Sequence, residues 1–151
     1  MQIPKPSIEQ VKKYLKKWNS LDKGKYYRQE EALNKLFFEL CPNNKDINSI
    51  LIKAAVLNDF YSTNIYHIYA VANHIEKLAI DERLDKGDEN LVDDLKKVKI
   101  GNKEINFYSF ATKYCSHHKP EYYPIYDKYV GKALIYFRNE YKFCEFKNDG
   151  L

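Results

Sequence analysis

The sequence predicts an all-α fold, a single compact domain of seven or eight helices. Apolar residues recur at helical spacing along most of the 151 residues, and they make up 44% of the composition, which is enough for one core. Helix-capping side chains stand before several of these stretches. The length leaves no room for two ordinary domains, so we interpret residues 1–151 as one helical domain.

Residues 1–56 are expected to hold the N-terminal helices. The first has a capping box, because Gln10 follows Ser7 by three positions. Its apolar face carries Ile8, Val11, Leu15 and Trp18, and most of the opposite side carries Lys12, Lys13, Lys16 and Lys17. In the second helix Leu33, Leu36, Phe37 and Leu40 are expected to point inward. The predicted helices begin after Ser7, at about Tyr26 and after Asp46, and they end before Gly24, at Leu40 and near residues 59–63.

Residues 57–142 are expected to form the core of the domain. A Gly-Asn turn after position 100 indicates a small hairpin, although two short strands alone are marginal. Asp127 is a typical N-cap for the last helix, and Asn106 for the one before it. The predicted elements are a helix over 64–78, an acidic turn over 81–86, and helices over about 89–98, 107–117 and 128–141.

Composition excludes several classes of protein. No apolar run is long enough for a transmembrane helix, and no signal-peptide pattern opens the chain, so we expect no membrane partner and a cytoplasmic location. Cys41, Cys115 and Cys144 are odd in number and lack paired spacing, which favours reduced thiols. The net charge of +4 is spread as two mildly basic ends around an acidic middle over residues 57–98. That distribution is compatible with nucleic acid on one face but does not require it.

The densest chemistry lies between Phe107 and Val130. A tyrosine-rich helix leads through a proline-bounded loop to Asp127, which opens the next helix. An aspartate there ordinarily accepts hydrogen bonds from free backbone N–H groups. The same position also suits a carboxylate that must stay ionised and fixed beside a developing positive charge. An Asp127 in an open, basic cleft with tyrosine walls would favour catalysis, whereas a sealed Asp127 would be a structural cap.

Two segments together resemble the helix-hairpin-helix DNA glycosylase superfamily, and in particular uncharacterised bacterial proteins with glycosylase-like folds. The first is Pro124-Ile125-Tyr126-Asp127, which is similar to the element that leads to the family's catalytic aspartate. The second, Leu57 to Ile65, resembles the helix break from which a side chain enters the DNA stack. The resemblance covers about residues 57–135. It implies a helical DNA-binding protein active in base excision, with Asp127 as the candidate catalytic residue.

The chain departs from this family at two places. The glycine-rich hairpin is reduced to Gly101, and Ser109 stands where bifunctional members carry a Schiff-base lysine. Lys113, one turn later, is a weak second candidate, because a lysine nucleophile needs desolvation and accurate placement. Any enzyme of this type is therefore expected to be a monofunctional glycosylase, in which Asp127 stabilises oxocarbenium character and orients a water molecule.

The resemblance also implies contacts for DNA and for an extruded base. Aromatic side chains in the helix break could enter a base step, although such residues more often hold a turn to the core. The expected DNA-contacting residues are Phe60, Tyr61, Ser109, Lys119 and Lys128. The expected base pocket is formed by Tyr114, Tyr122, Tyr123 and Tyr126, for which ordinary packing is the alternative.

A second hypothesis is a non-enzymatic interaction or dimerisation module that kept the scaffold and lost the chemistry. The missing hairpin glycines and the acidic middle favour it. Residues 143–151 read as a shortened tail, in which Phe143 and Phe146 would expose apolar surface and favour a homodimer. No cofactor is expected. No metal is expected either, because adjacent His117 and His118 point in different directions from a helix.

Overall fold

The structure, a computed structural model, describes residues 3–145, and the fold is mostly helical with one small antiparallel hairpin. A 3-10 turn joins the first two helices, and a π-helix extends the second. The elements are α1 (Ile8–Ser20), the turn Leu21–Gly24, α2 (Lys25–Asn34), the π-helix Lys35–Leu40, α3 (Ile47–Phe60), α4 (Ile68–Leu78), α5 (Asp81–Asp85), α6 (Leu91–Leu95), β1 (Lys97–Ile100), β2 (Lys103–Asn106), α7 (Tyr108–His118) and α8 (Lys128–Tyr141). The predominantly helical prediction is confirmed, and the hairpin corrects the all-α expectation.

The core is built around α7. Its nine residues from Phe110 to His118 are all buried, since α3, α6 and the π-helix pack around it and α4 packs on α3. A helix buried on every side carries its polar side chains into the interior, where each must find a partner inside the protein. The polar side chains of α7 are consequently the starting point for the candidate site.

The first helix does not join this core, which corrects its predicted packing. None of the α1 residues is buried, and the main packing partners of α1 are the 3-10 turn and α2. The Ser7 hydroxyl caps the helix by accepting from the Gln10 backbone N–H at 3.3 Å, as predicted. The Gln10 side-chain oxygen has no hydrogen-bond partner, so the capping box is not closed. The exposed apolar face of α1 therefore needs a different explanation.

The second predicted helix is also interrupted. Leu36 and Phe37 are buried as predicted, but Leu40 is exposed. The last part of this helix is a π-helix, in which the Cys41 N–H donates to the Leu36 carbonyl five positions earlier. The wider turn rotates Leu40 away from the core.

The hairpin was predicted, but the end of the helix before it and the cap of the helix after it were predicted wrongly. The turn at Gly101, with φ of +60°, confirms the predicted hairpin. The preceding helix ends at Leu95 rather than at Val98, because Val98 is buried in β1 opposite Ile105. Asn106 does not cap α7 as predicted, since it pairs with Lys97 at the end of the ladder.

The segment between α3 and α4 is longer than predicted. The fourth helix was expected from Asn64 and begins at Ile68. Ser62 and Asn64 have φ values of +49° and +57°, which a right-handed helix does not allow. The Asn58 side chain holds this backbone by accepting from the Ile65 N–H at 2.9 Å. The chain between the helices is thereby fixed in one conformation beside α7.

Asp127 caps α8, as predicted, and the helix then passes close to Tyr126. Gly131 is the buried residue of α8, and a Cβ atom built there would overlap the Tyr126 hydroxyl. Part of the predicted apolar face of α8 is exposed, including Val130 and Leu134. Close approach at Gly131 therefore sets where α8 begins relative to the loop before it.

Gly131→Ala tests this close approach. The added methyl group forces the rigid Tyr126 ring to move, so the free energy of unfolding is expected to fall by about 1–3 kcal/mol. Urea denaturation followed by circular dichroism measures it. The double variant Gly131→Ala with Tyr126→Phe lacks the overlapping hydroxyl and is expected to recover part of the loss. Unchanged stability in the single variant would show that the contact is not tight.

Candidate functional site

A cleft of about 540 Å³ opens between the start of α7, the start of α8 and the segment that follows α3. We call it the Asp127 cleft. Asp127 and Lys113 both line it, and five of its thirteen lining residues are aromatic. The lining residues are Tyr61, Ser62, Thr63, Ile65, Asn106, Phe107, Tyr108, Ser109, Phe110, Lys113, Asp127, Lys128 and Tyr129. Its size lies within the range of small-ligand sites.

Asp127 is half-buried at the edge of this cleft. One carboxylate oxygen, Oδ1, accepts from the Tyr129 N–H at 2.8 Å and from the Val130 N–H at 2.9 Å. Among the described residues, no hydrogen bond is made to the other oxygen, Oδ2. The cap thus fixes the side chain through Oδ1 alone.

Thr112 determines where Asp127 lies relative to α7. Its hydroxyl oxygen is 3.2 Å from both the backbone nitrogen and the carbonyl oxygen of Tyr126. These contacts join the middle of α7 to the residue immediately before Asp127. The sequence separates Thr112 from Asp127 by a proline-bounded loop, yet the pair of contacts keeps the carboxylate close to the buried helix.

Lys113 is buried, with 4% of its surface exposed, and lies in the same cleft. Its ammonium donates to the Ser109 hydroxyl at 2.6 Å and to the Tyr126 carbonyl at 3.4 Å. Burial lowers the pKa of Lys113 below its ordinary value, and the Asp127 carboxylate opposes that shift. The desolvation that a reactive lysine needs is thus present, which the sequence could not establish.

Tyr61 forms the wall of the cleft beneath Lys113. The Lys113 ammonium lies 5.2 Å from the centre of the Tyr61 ring, and the Tyr61 hydroxyl is 2.9 Å from Nε2 of His117. Burial raises the pKa of Tyr61 to about 12 and lowers the pKa of His117. Both groups are therefore neutral around pH 7. Tyr61 and Phe60 are half-buried against the core, which favours the alternative in which they hold the turn to the core.

The predicted base pocket does not form as one site. Tyr114 is fully buried, and its hydroxyl donates to Asn44 at 2.7 Å, so it cannot line an open pocket. Tyr123 is 4% exposed and donates to the carbonyls of Arg83 and Asp88. Burial raises the pKa of Tyr123 to about 12.

Tyr122, Tyr123 and Tyr126 line a different groove from Asp127. This groove has a volume of about 450 Å³ and is lined mainly by apolar side chains, including Val130 and Leu134. Tyr126 separates it from the Asp127 cleft, with its ring 5.3 Å from that of Tyr108. The loop after α7 directs these three tyrosines toward α8 and away from Asp127, so they do not form the predicted base pocket.

The predicted DNA-contacting polar residues divide between two places. Ser109 and Lys128 line the Asp127 cleft. Lys119 follows the other end of α7, about 15 Å along the helix axis from Ser109 by the helical rise. There it pairs with Asp85 at 2.8 Å. Lys119 is therefore not part of the same site.

The buried surface behind α7 holds a second polar cluster, which the sequence did not reveal. The Lys53 ammonium donates to the Asn43 carbonyl at 2.9 Å, to Asn44 Oδ1 at 2.8 Å and to His118 Nε2 at 3.1 Å. The Asn44 side-chain amide donates to Asp81 at 2.7 Å. Burial lowers the pKa of Lys53 to about 8 and that of His118 to about 2. Since Lys53 uses its three donors on these acceptors, the cluster is a structural one.

Three tyrosines of the cleft region were not predicted as site residues. Tyr108 and Tyr129 line the cleft, and Tyr66 is 92% exposed in the segment that forms one wall. Tyr129 lies in the first turn of α8, two positions after Asp127. This short spacing from the predicted N-cap could have indicated that Tyr129 lines the same cleft. Tyr66 gave no such signal, because the left-handed residues before it determine its direction.

The described residues offer no site for a metal. Within residues 3–145, no group of three or more His, Cys, Asp or Glu side chains is arranged to hold an ion. Cys115 is buried, which raises the pKa of its thiol to about 12 and leaves it unreactive. In the same part of the chain, no helix has the length and apolar character needed to cross a bilayer. Of the predicted tail, Phe143 is exposed, and Phe146 lies outside the described residues.

Comparisons with known proteins place most of the chain in one group. A family model described as HI_0787_N, N-terminal domain, matches residues 10–122. A protein of Haemophilus influenzae with the printed name "Uncharacterized protein" is 50% identical over 106 residues, which cover 70% of this chain and 53% of the relative. The chain thus spans about half the length of the curated relative it matches. No solved structure matches it.

Proposed function

The chain belongs to the HI_0787_N family of N-terminal domains, and from the geometry of the Asp127 cleft we propose that it binds DNA and acts there in base excision. The reaction is the hydrolytic release of a base, as in a monofunctional glycosylase. The observation that carries the proposal is the placement of a fixed carboxylate and a buried amine in one aromatic-walled cleft. The resemblance in residues 57–135 is the reason for choosing DNA over other ligands.

The chemistry assigns Asp127 the main role. When the bond between C1′ and the base breaks, the base leaves with the bonding electrons and the sugar gains oxocarbenium character. The Asp127 carboxylate, held by the cap at Oδ1, stabilises that charge without reorganising. Water then adds its oxygen to C1′, and the proton that it gives up passes to the departing base. Lys113, whose ammonium donates to Ser109 and to the Tyr126 carbonyl, adds positive charge to the cleft wall beside the extruded nucleotide.

The surroundings of the cleft supply groups that suit a DNA backbone. Lys128 is exposed at its rim, and the hairpin beside it exposes Lys97 and Lys99. Asn106, the partner of Lys97 in the ladder, lines the cleft itself. Tyr66, with its exposed ring, takes the stacking role that the sequence suggested for Phe60 and Tyr61.

The salt dependence of binding to a short duplex tests this surface. A protein that neutralises phosphates releases counterions, so the logarithm of the affinity falls linearly with the logarithm of salt concentration. Lys128→Gln is expected to lower the magnitude of that slope by about 1. Lys86→Gln, a matched change at the residue that follows α5 and lies outside the cleft, is expected to leave the slope unchanged. Equal slopes in both variants would show that Lys128 does not contact DNA. The absence of DNA binding at low salt would refute the proposal.

A non-enzymatic interaction module is the second candidate function. It is favoured by the apolar side chains that α8 exposes, Val130 and Leu134, and by the capping bonds of Asp127, which are sufficient for a structural role. That function predicts a protein partner or a homodimer, no retention on DNA and a tolerated Asp127→Asn change. Size-exclusion chromatography with light scattering, run beside the DNA titration, separates the two.

A further inference from the structure

The apolar face of α1 is an exposed surface that the proposed function leaves unused. We call it the α1 face and define it as Ile8, Val11, Tyr14, Leu15 and Trp18. These side chains are between 39% and 68% exposed, although they lie along one side of a capped helix. A contiguous apolar strip of this kind marks a surface that contacts something other than water.

Lysines border this strip on both sides. At 100° per residue, Lys12 and Lys17 lie just beyond its two edges, and Lys13 and Lys16 lie opposite. Glu9 is the one acidic residue of α1. The helix thus combines an apolar face, which includes a tryptophan and a tyrosine, with a polar face of strongly positive charge.

We propose that α1 binds an anionic lipid surface, lying in the plane of the membrane with the α1 face in the boundary between headgroups and acyl chains. A helix with low mean hydropathy, a lysine-rich polar face and bulky apolar residues opposite has the composition of such in-plane helices. Tyrosine and tryptophan favour the headgroup level, and lysines beside it are attracted to acidic lipids. The inference does not rest on the proposed function.

Charge decides among the possible occupants of the α1 face. A second copy would bring two lysine-rich helices together, and their repulsion opposes that pairing. Nucleic acid would pair with the lysines, but it would offer no apolar surface against which the five apolar side chains could be buried. In a membrane with acidic lipids, the headgroups attract the lysines of the polar face and the acyl chains bury the apolar side chains of the α1 face. The expectation of no membrane partner concerned spanning segments and is revised here for in-plane contact.

Access to the α1 face is not restricted by the rest of the described chain. Trp18 is the most covered member, since its ring packs on Tyr26 at 5.4 Å and its indole N–H donates to Glu30. The helix is formed before it meets a membrane, because the Ser7 cap is in place. Binding therefore needs no refolding of the domain.

Vesicles and tryptophan fluorescence test the proposal with the whole chain. Trp18 is the single tryptophan of the protein, so its emission reports directly on the α1 face. With vesicles of equal parts phosphatidylglycerol and phosphatidylcholine at low salt, we expect a blue shift of this emission and co-flotation of the protein. Vesicles of phosphatidylcholine alone are expected to give neither.

Two variants with the same added charge sharpen the result. Leu15→Glu places a carboxylate on the α1 face, and we expect at least a tenfold loss of vesicle binding, with the helix content unchanged. Ser20→Glu places it on the opposite side of the same helix and is expected to keep most of the binding. Equal binding by both variants, or no binding of the unaltered chain to the acidic vesicles, overturns the proposal. A blue shift with duplex DNA alone, or a dimer that Leu15→Glu dissociates, overturns it in favour of that occupant.

Discussion

Asp127→Asn is expected to abolish base release from duplex DNA while leaving DNA binding largely intact. An asparagine at an N-cap still accepts from backbone N–H groups, so α8 keeps the capping bonds donated by Tyr129 and Val130. The charge that stabilises the oxocarbenium character is removed. Loss of one preorganised electrostatic group costs about 10²–10³-fold in rate. Single-turnover assays on duplexes that each carry one alkylated, deaminated or oxidised base measure the loss.

Asp46→Asn is the matched control for this change. Asp46 caps α3 in the same way, by accepting from the backbone N–H groups of Asn48 and Ser49, and it lies outside the Asp127 cleft. The same substitution there is expected to leave base release unaltered. If both variants release bases at the rate of the unaltered protein, Asp127 is a structural cap and the interaction module becomes the better account.

Asn44→Ala is expected to give the largest loss of stability among single substitutions in the buried cluster. The side-chain carbonyl of Asn44 accepts from Lys53 and from Tyr114, and its amide donates to Asp81. Alanine leaves a buried ammonium and a buried hydroxyl without that acceptor. Stranding such groups costs about 3–5 kcal/mol of the free energy of unfolding.

The neighbouring residue gives the control for this prediction. The side chain of Asn43 is exposed, and only its backbone carbonyl contacts Lys53. Asn43→Ala is therefore expected to change the free energy of unfolding by less than about 0.5 kcal/mol. Urea unfolding of both variants measures the difference. A cost below about 1 kcal/mol for Asn44→Ala would mean that water or a neighbouring group replaces the lost acceptor.

Local rules predicted the parts of the fold that local contacts determine. Ser7, Asp46 and Asp127 each cap a helix, as their positions before apolar stretches indicated. The Gly101 turn likewise follows from residue type. Where tertiary contacts compete with local preference, the prediction failed. Val98 leaves a helical pattern because β1 buries it.

Periodicity cannot say whether an apolar face will find a partner. The apolar residues of α1 lie more strictly on one side of the helix than those of α3, yet of these two helices only α3 reaches the core. In contrast, Lys53 has the sequence character of a surface residue and is fully buried. The difference lies in long-range contacts, such as the one from Lys53 to His118, which no short pattern encodes.

The sequence predicted the carboxylate of the candidate site, Asp127, but not most of the aromatic residues that surround it. Asp127 followed from a motif, and Lys113 was a weak candidate because a sequence cannot show desolvation. The structure places both in one cleft. The tyrosine pocket was wrong for Tyr114, since that ring fills the core, and the loop after α7 directs Tyr122 to another groove. The direction in which a loop turns its aromatic side chains depends on packing against α8.

The central claim is that the Asp127 cleft receives a nucleotide extruded from DNA. Its most direct test is the affinity of the unaltered protein, at low salt, for a labelled duplex with one abasic-site analogue, compared with the same duplex undamaged. Fluorescence anisotropy gives both values. The account predicts binding to both, and tighter binding to the damaged duplex, since extrusion there costs less unpairing and unstacking energy. No measurable affinity for either duplex would contradict it.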